Sequence, residues 1–208
     1  MAPWSVLIYD EAMDLVIFGI QGSGKGTQAQ RLALEGGYDI FEAGGELRKI
    51  AALATEPVDA ASRALGRTVK SYIDVGKLVP HAIIIEVVER AIRSRVPTQK
   101  ILFDGIPRDL DQMQDFTEIM RKIGREFRCI HIALDPEEGV QRILRRAQTE
   151  GRADDAHEET IRKRMRIFTE KTLPVIERFR TEGKVIEIDG HGSVEDIYRR
   201  IHEALAPG

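Results

Sequence analysis

The sequence predicts an α/β fold, a three-layer sandwich around a central five-stranded parallel sheet. Three observations carry that expectation. Five short apolar runs alternate with longer segments of helical pattern, the first run leads into a glycine-rich loop, and a later run ends on an aspartate. Strands separated by helices need crossover connections, which makes the sheet mostly parallel and covers both its faces. Ligands of such sheets bind beyond the carboxyl ends of the strands. Both motifs fall at those ends.

The elements follow in order. Strands are expected at Leu15–Phe18, Asp39–Phe41, Ile101–Phe103, Cys129–Leu134 and Val185–Asp189. Helices are expected at Lys25–Leu34, Gly45–Thr55, Ala60–Val75, His81–Ser94, Leu110–Lys122, Pro136–Gln148, Glu158–Arg180 and Val194–Leu205. Pro174 lies inside the longest helix and is expected to kink it, because proline lacks the N–H and crowds the preceding turn. Residues 1–12 form an extension of open status. Ser5 to Tyr9 is apolar, Asp10-Glu11 follow, and Met13 then begins M-D-L-V-I-F-G, a natural opening on a first strand. An extra strand, a cloning remnant and a misplaced start codon all fit. Residues 13–208 read as one domain.

Composition bounds the function. The chain has 208 residues, 42% hydrophobic and 31% charged, which suits one soluble domain with a well-buried core. A net charge of -3 gives no basic footprint for nucleic acid. A single cysteine, Cys129, excludes a disulfide framework and a multi-cysteine zinc site, and its apolar setting suits a core residue. No apolar stretch reaches the length of a membrane span, and the N-terminus lacks the charged start of a signal peptide. A cytoplasmic protein with no membrane or nucleic-acid partner is expected.

The strongest motif is G-I-Q-G-S-G-K-G-T at residues 19–27, between the apolar Leu15-Val16-Ile17-Phe18 and the helix from Lys25. Glycines let backbone N–H groups turn inward around a polyphosphate, and the helix N-terminus adds a favourable dipole. Lys25 supplies a mobile charge for the outer phosphates, and Thr27 a hydroxyl near a phosphate or a metal-bound water. The bland alternative is a tight glycine-rich turn. It does not explain a lysine and a threonine in register between a strand and a helix.

The second motif is Ile101-Leu102-Phe103-Asp104-Gly105-Ile106-Pro107-Arg108. It delivers Asp104 to the same end of the sheet, where a carboxylate can hold Mg²⁺ through water while the metal bridges phosphate oxygens. Arg108 can grip a phosphate in a bidentate way. A strand end with a capping aspartate and a surface arginine is the plainer reading. The third signal is arginine density: Arg142, Arg145, Arg146, Arg152, Arg162, Arg164 and Arg166 in a net-acidic chain. Arg145, Arg162 and Arg166 suit a solvated face. Arg146 and Arg152 belong to the polar stretch R-A-Q-T-E-G-R-A-D-D and Arg164 to the helix after it, and these three suit stabilisation of a transferring phosphoryl group.

Taken together, these motifs resemble the adenylate kinases, of the nucleoside monophosphate kinase family, over Leu15 to Leu205. G-K-G-T-Q at Gly24 to Gln28 and D-G-I-P-R followed by Gln112 carry the likeness. Gly151 to Arg164, G-R-A-D-D…E-E-T-I-R-K-R, resembles the short-lid branch, with one extra residue between Asp155 and Glu158. The resemblance implies a P-loop three-layer sandwich with a helical NMP-binding arm at about 41–79 and a short lid at about 146–155. It also implies reversible Mg²⁺-dependent phosphoryl transfer from ATP to AMP, giving two ADP, in a monomer. Gly22, Ser23, Gly24, Lys25, Gly26 and Thr27 would bind ATP phosphates, with Arg142 on the ATP base, Arg146 on its phosphates and Gly192 a backbone contact to the base. Ala43, Arg48, Lys77, Leu78, Val79, Gly105, Arg108 and Gln112 would surround AMP, with Arg48 and Arg108 on its phosphate and Gln112 on adenine. Arg152 and Arg164 would engage the transferring phosphoryl and the AMP phosphate. Asp104 would hold Mg²⁺. The lid segment has no cysteine or histidine, so no structural zinc is expected.

This chain also departs from the family pattern. Gln21 stands where proline is usual, and Glu42-Ala43-Gly44-Gly45 where the family has S-T-G-D. Ala43 occurs in pyrimidine kinases of the family, and Gly45 removes a carboxylate near the metal. A UMP/CMP kinase, favoured by Ala43 and opposed by Gln112, and a weakly catalytic nucleotide-binding regulator therefore remain alternatives. A GTPase is disfavoured, because the chain has no N-K-x-D motif.

Overall fold

A computed structural model describes residues 13–74, 79–150 and 158–206. Five parallel strands, β1 (Asp14–Phe18), β2 (Asp39–Glu42), β3 (Ile101–Asp104), β4 (Phe127–Ala133) and β5 (Val185–Asp189), form one sheet in the order β2-β3-β1-β4-β5. Between them run α1 (Lys25–Gly36), α2 (Ala43–Ala52), α3 (Ala60–Ile73), α4 (His81–Arg93), α5 (Leu110–Ile123), α6 (Pro136–Glu150), α7 (Glu158–Ile167) and α8 (Leu173–Thr181), and α9 (Val194–Leu205) follows β5. The α/β fold and the five-stranded parallel sheet are as expected.

Alternation along the strands builds two cores. Leu15, Ile17, Leu102, Ile130, Ile132 and Ile188 face α1 and α9, together with Ala29, Leu32, Ile197 and Ile201. Val16, Phe18, Phe41, Phe103, Phe127 and Cys129 face the other way, against α2 to α5 and α8. A chain of rings runs through this second core. Centroids lie 5.7 Å apart for Phe41–Phe103, 5.0 Å for Phe103–Phe116, 5.2 Å for Phe116–Phe127 and 5.4 Å for Phe127–Phe179. The last three pairs meet edge to face, the arrangement the ring quadrupoles favour.

At the amino end of the sheet a buried charge is fully matched. Asp14 is 0% exposed, accepts the Ile101 N–H at 2.7 Å, and takes Nε and an Nη of Arg125, each at 2.7 Å. Arg125 also donates to the carbonyls of Pro97 and Gln99, so it ties β1, β3 and the loop before β4 together.

The long helix from Glu158 differs in form from the expected kinked rod. It runs as α7, then a π-helical turn at Phe168–Thr172, then α8 with Pro174 in its first turn. Leu173 N–H reaches back to the Phe168 carbonyl, the wider spacing that defines the turn. Proline at 174 withdraws one donor from the preceding turn, and the chain accommodates this by widening. Elsewhere the boundaries shift little. The second helix begins at Ala43 rather than Gly45, because β2 ends directly on its N-cap Glu42.

Candidate functional site

The phosphate loop leaves β1 and enters α1 at the carboxyl end of the sheet. Gly22 and Gly24 hold φ of 84° and 85°, where a side chain would be strained. Gly24 is the N-cap of α1 and brings no side-chain cap. By contrast, α3, α5 and α9 are capped by Asp59, Asp109 and Ser193. The first N–H groups of α1 are thus left to a ligand, with the dipole favouring an anion. A Cβ built at Gly24 or Gly26 meets nothing within 4 Å, so open space lies over both. The Ser23 hydroxyl is buried and lacks a partner. Lys25 and Thr27 lie in the first turn of α1, directly after the loop.

A glycine in the first turn of α6 supports this loop. A Cβ at Gly22 would stand 2.5 Å from the Gly139 carbonyl oxygen, and one at Gly139 would stand 2.8 Å from the Gln21 carbonyl oxygen. The loop therefore lies backbone to backbone on α6. Sequence reasoning missed Gly139. The available signal was glycine inside a helix, which costs roughly 1 kcal/mol relative to alanine and so asks for a packing reason.

Asp104 ends β3 beside Ile17 of β1 and Glu42 of β2. Burial pushes its carboxyl up from the ordinary range; Lys25 and Arg108 pull it down, and Glu42 pushes it further up. Glu42 sits beside it in the β2–β3 register, and the charges of Lys25 and Arg108 reach it. Glu42 was not among the expected site residues. Its carboxylate lies 3.3 Å from an Arg48 Nη and fills the space beside Gly45, where a Cβ would come within 2.7 Å of it. The carboxylate missing at position 45 thus has a neighbour of like charge, carried by the strand. A donor set of one half-buried carboxylate, a second nearby, and open backbone N–H groups suits a magnesium–phosphate pair.

On the acceptor side, Arg108 is held at three points. Its Nε donates to the Gly105 carbonyl at 2.8 Å, its N–H donates to Gln112 Oε1 at 2.9 Å, and its carbonyl accepts from Thr172 Oγ1 at 2.9 Å. Gly105 (φ 86°) brings the guanidinium close, and Ala43 lies against the same spot. Gln112 is only 7% exposed, and its oxygen accepts the Arg108 N–H. Its amide N–H groups and the second lone pair of that oxygen are left for a base.

Arg142 and Gly192 meet on another wall. Arg142 donates to the Gly190 carbonyl at 3.0 Å and pairs with Glu138, and Gly192 follows with φ 105°. Val79 is buried near the acceptor helices, and Arg164 lies on α7. Lys77, Leu78, Arg152, the Arg146 side chain and residues 1–12 lie outside the described residues. Arg162 pairs with Glu137 and Glu158, as a solvated face would. Among the described residues, no group of three or more metal-ligating side chains occurs, and no helix is long and apolar enough to cross a membrane.

Backbone donors on one side of Asp104 and arginines on the other suit two phosphate-bearing ligands meeting over one carboxylate. That layout, at the carboxyl end of a parallel sheet, defines a P-loop nucleotide phosphotransferase. Comparison with known proteins narrows the class. Residues 17–184 match the family model for adenylate kinase. Adenylate kinase of Maricaulis maris is 38% identical over 194 residues, covering 93% of this chain and 98% of that protein. Those of Thermus thermophilus and Parabacteroides distasonis are 36% and 34% identical, with 94% and 93% of this chain covered and 98% and 97% of theirs. The chain belongs to the adenylate kinase family, and is thus a nucleoside monophosphate kinase.

Proposed function

We propose that the chain transfers the terminal phosphoryl group of magnesium-bound ATP to AMP, with the roles divided across Asp104. The observation that carries this reading is the meeting of the glycine-rich loop, Asp104 and Arg108 at the carboxyl end of the sheet, with Asp104 in register with Ile17 of β1 and Glu42 of β2. ATP phosphates would lie in the loop from Gly22 to Thr27, with Lys25 on the outer ones and Arg142 and Gly192 beside the base. The AMP phosphate would lie between Arg48 and Arg108, with Gln112, Ala43, Gly105, Lys77, Leu78 and Val79 around the nucleoside. Asp104 would hold Mg²⁺ through water; when bound, the ion neutralises phosphate charge.

No protein nucleophile is needed, because an oxygen of the AMP phosphate attacks directly. The protein's task is positioning and charge stabilisation, to which Arg146, Arg152 and Arg164 would add. Water must be kept out, or ATP would be hydrolysed. The arm at about 41–79 and the lid at about 146–155 are the parts proposed to do so. All these residues come from one chain, which fits a monomer, and a cytoplasmic location fits the nucleotide substrates.

A panel of AMP, UMP, CMP and GMP with ATP and Mg²⁺ tests the reading. AMP is expected to turn over fastest, with detectable activity on others because Ala43 leaves room at the base. A chelator should stop the reaction. Faster turnover of UMP or CMP would overturn the AMP assignment.

A further inference from the structure

We propose that Thr172 is a positioning residue for the acceptor phosphate, and that the π-helical turn exists to aim it. The proposal deepens the reading that Arg108 holds the AMP phosphate, and rests on it. Thr172 lies in the second half of a long helical rod, 64 residues from Arg108 in sequence. Yet its hydroxyl donates to the Arg108 carbonyl at 2.9 Å, and the residue is 7% exposed. It is one of the few buried polar residues among those described.

The geometry shows why the turn matters. In a regular helix each residue advances by about 100°, and one extra residue in a turn rotates all that follows relative to what precedes. The turn at Phe168–Thr172 makes that adjustment just ahead of Pro174. Two packing demands are met at once. Met165 and Ile161 of α7 face one cluster with Ile20 and Val140, while Val175, Ile176 and Phe179 of α8 face the ring-lined core. The junction between these two faces is where Thr172 meets the Arg108 backbone.

Arg108 needs such help. Its side chain is exposed, so packing alone does not fix its guanidinium. The peptide on one side is fixed by Gln112 Oε1, and the peptide on the other by Thr172 Oγ1. With both held, and Nε on Gly105, the outer guanidinium nitrogens are presented in one direction before substrate arrives. Preorganisation of that kind acts on the rate as well as on binding. The rod that carries Thr172 also carries Arg164, so one element would align groups on both sides of the acceptor phosphate.

The test compares Thr172→Val, which keeps shape and loses the hydroxyl, with Thr172→Ser, which keeps the hydroxyl. Thr172→Val should lower kcat/KM for AMP about five- to tenfold, the scale of one hydrogen bond and one orphaned carbonyl, and leave KM for ATP unchanged. Thr172→Ser should recover activity to within about threefold of the unmodified protein, since it restores the same hydrogen bond. In an Arg108→Lys background, which disorders the same grip, the further loss from Thr172→Val should shrink below about twofold. Equal losses for both nucleotides, a lowered Tm without serine rescue, or full additivity with Arg108→Lys would overturn the positioning role. If Arg108→Lys by itself left AMP kinetics unchanged, the placement of the AMP phosphate would fail, and this proposal with it.

Discussion

Two aspartates stand at opposite ends of neighbouring strands, and the sheet treats them differently. Asp14, at the amino end, is fully buried and receives three hydrogen bonds, two of them from Arg125. Asp104, at the carboxyl end, is half-buried and pushed up by burial. Among the described residues its charge is met by Lys25 and Arg108 acting at a distance rather than by a hydrogen bond. The first charge is matched within the chain, and the second is left for something outside it. A half-buried carboxylate without a hydrogen bond is costly. In the proposed reading, a metal and phosphates would complete the set.

If that contrast holds, the two ends respond to substitution in different measurements. The largest effect should be Arg125→Ala, which strands the Asp14 carboxylate. Breaking a buried pair from one side costs roughly 3–5 kcal/mol. Denaturant unfolding should register that loss, while kcat of the folded protein at low temperature stays near normal. A loss under about 1 kcal/mol, the scale of an exposed pair, would mean Asp14 is better hydrated than its burial implies.

Lys25→Ala should come next and show the reverse signature. Activity should fall at least about 10²-fold, as when one preorganised electrostatic donor is removed, with unfolding unchanged. Near-normal turnover would remove the phosphate-loop reading. Gln112→Ala should cost roughly 1–3 kcal/mol in kcat/KM for AMP, and less for UMP. Part of that loss arises from the Arg108 N–H, which is left without its acceptor. Equal losses for AMP and UMP would assign Gln112 to Arg108 alone.

Smaller still, Glu42→Gln should lower KM for AMP by roughly two- to fivefold, because an exposed pair with Arg48 is worth at most about 1 kcal/mol. A raised KM would instead make Glu42 part of the binding set. Removal of residues 1–12 should change neither Tm nor turnover, since β1 begins at Asp14 with its charge already matched. A Tm drop of several degrees would show that the extension packs on the domain.

Much of this was legible in the sequence, for identifiable reasons. Val185–Asp189 and Val194–Leu205 coincide with expectation because strong punctuation separates them, ending in Ser193, which caps α9 with Asp196 in a capping box. The phosphate loop was legible because its chemistry is carried by backbone, and glycine spacing advertises backbone. The start of β4 at Phe127 was not, since pairing of Asp14 with Phe127 decides it. The π turn was hidden because it lies within one unbroken helical pattern. Pro174 flagged a disturbance there but not its form. Glu42 and Thr172 were missed for the same reason: both act on partners brought close only by the fold.

The strand order also constrains how the chain can be made. β1 lies between β3 and β4, with Leu15 opposite Leu102 on one side and Arg128 on the other. It is the first of the described strands to leave the ribosome, and it waits longest for a neighbour. At synthesis rates of about 5–20 residues per second, one edge waits on the order of ten seconds for β3, and the other waits longer, for β4. During that interval Leu15-Val16-Ile17-Phe18 is a sticky segment with nowhere to go. The nascent chain is therefore expected to be prone to aggregation until both neighbours of β1 have emerged, and a holdase that covers short apolar stretches is expected to act within that interval.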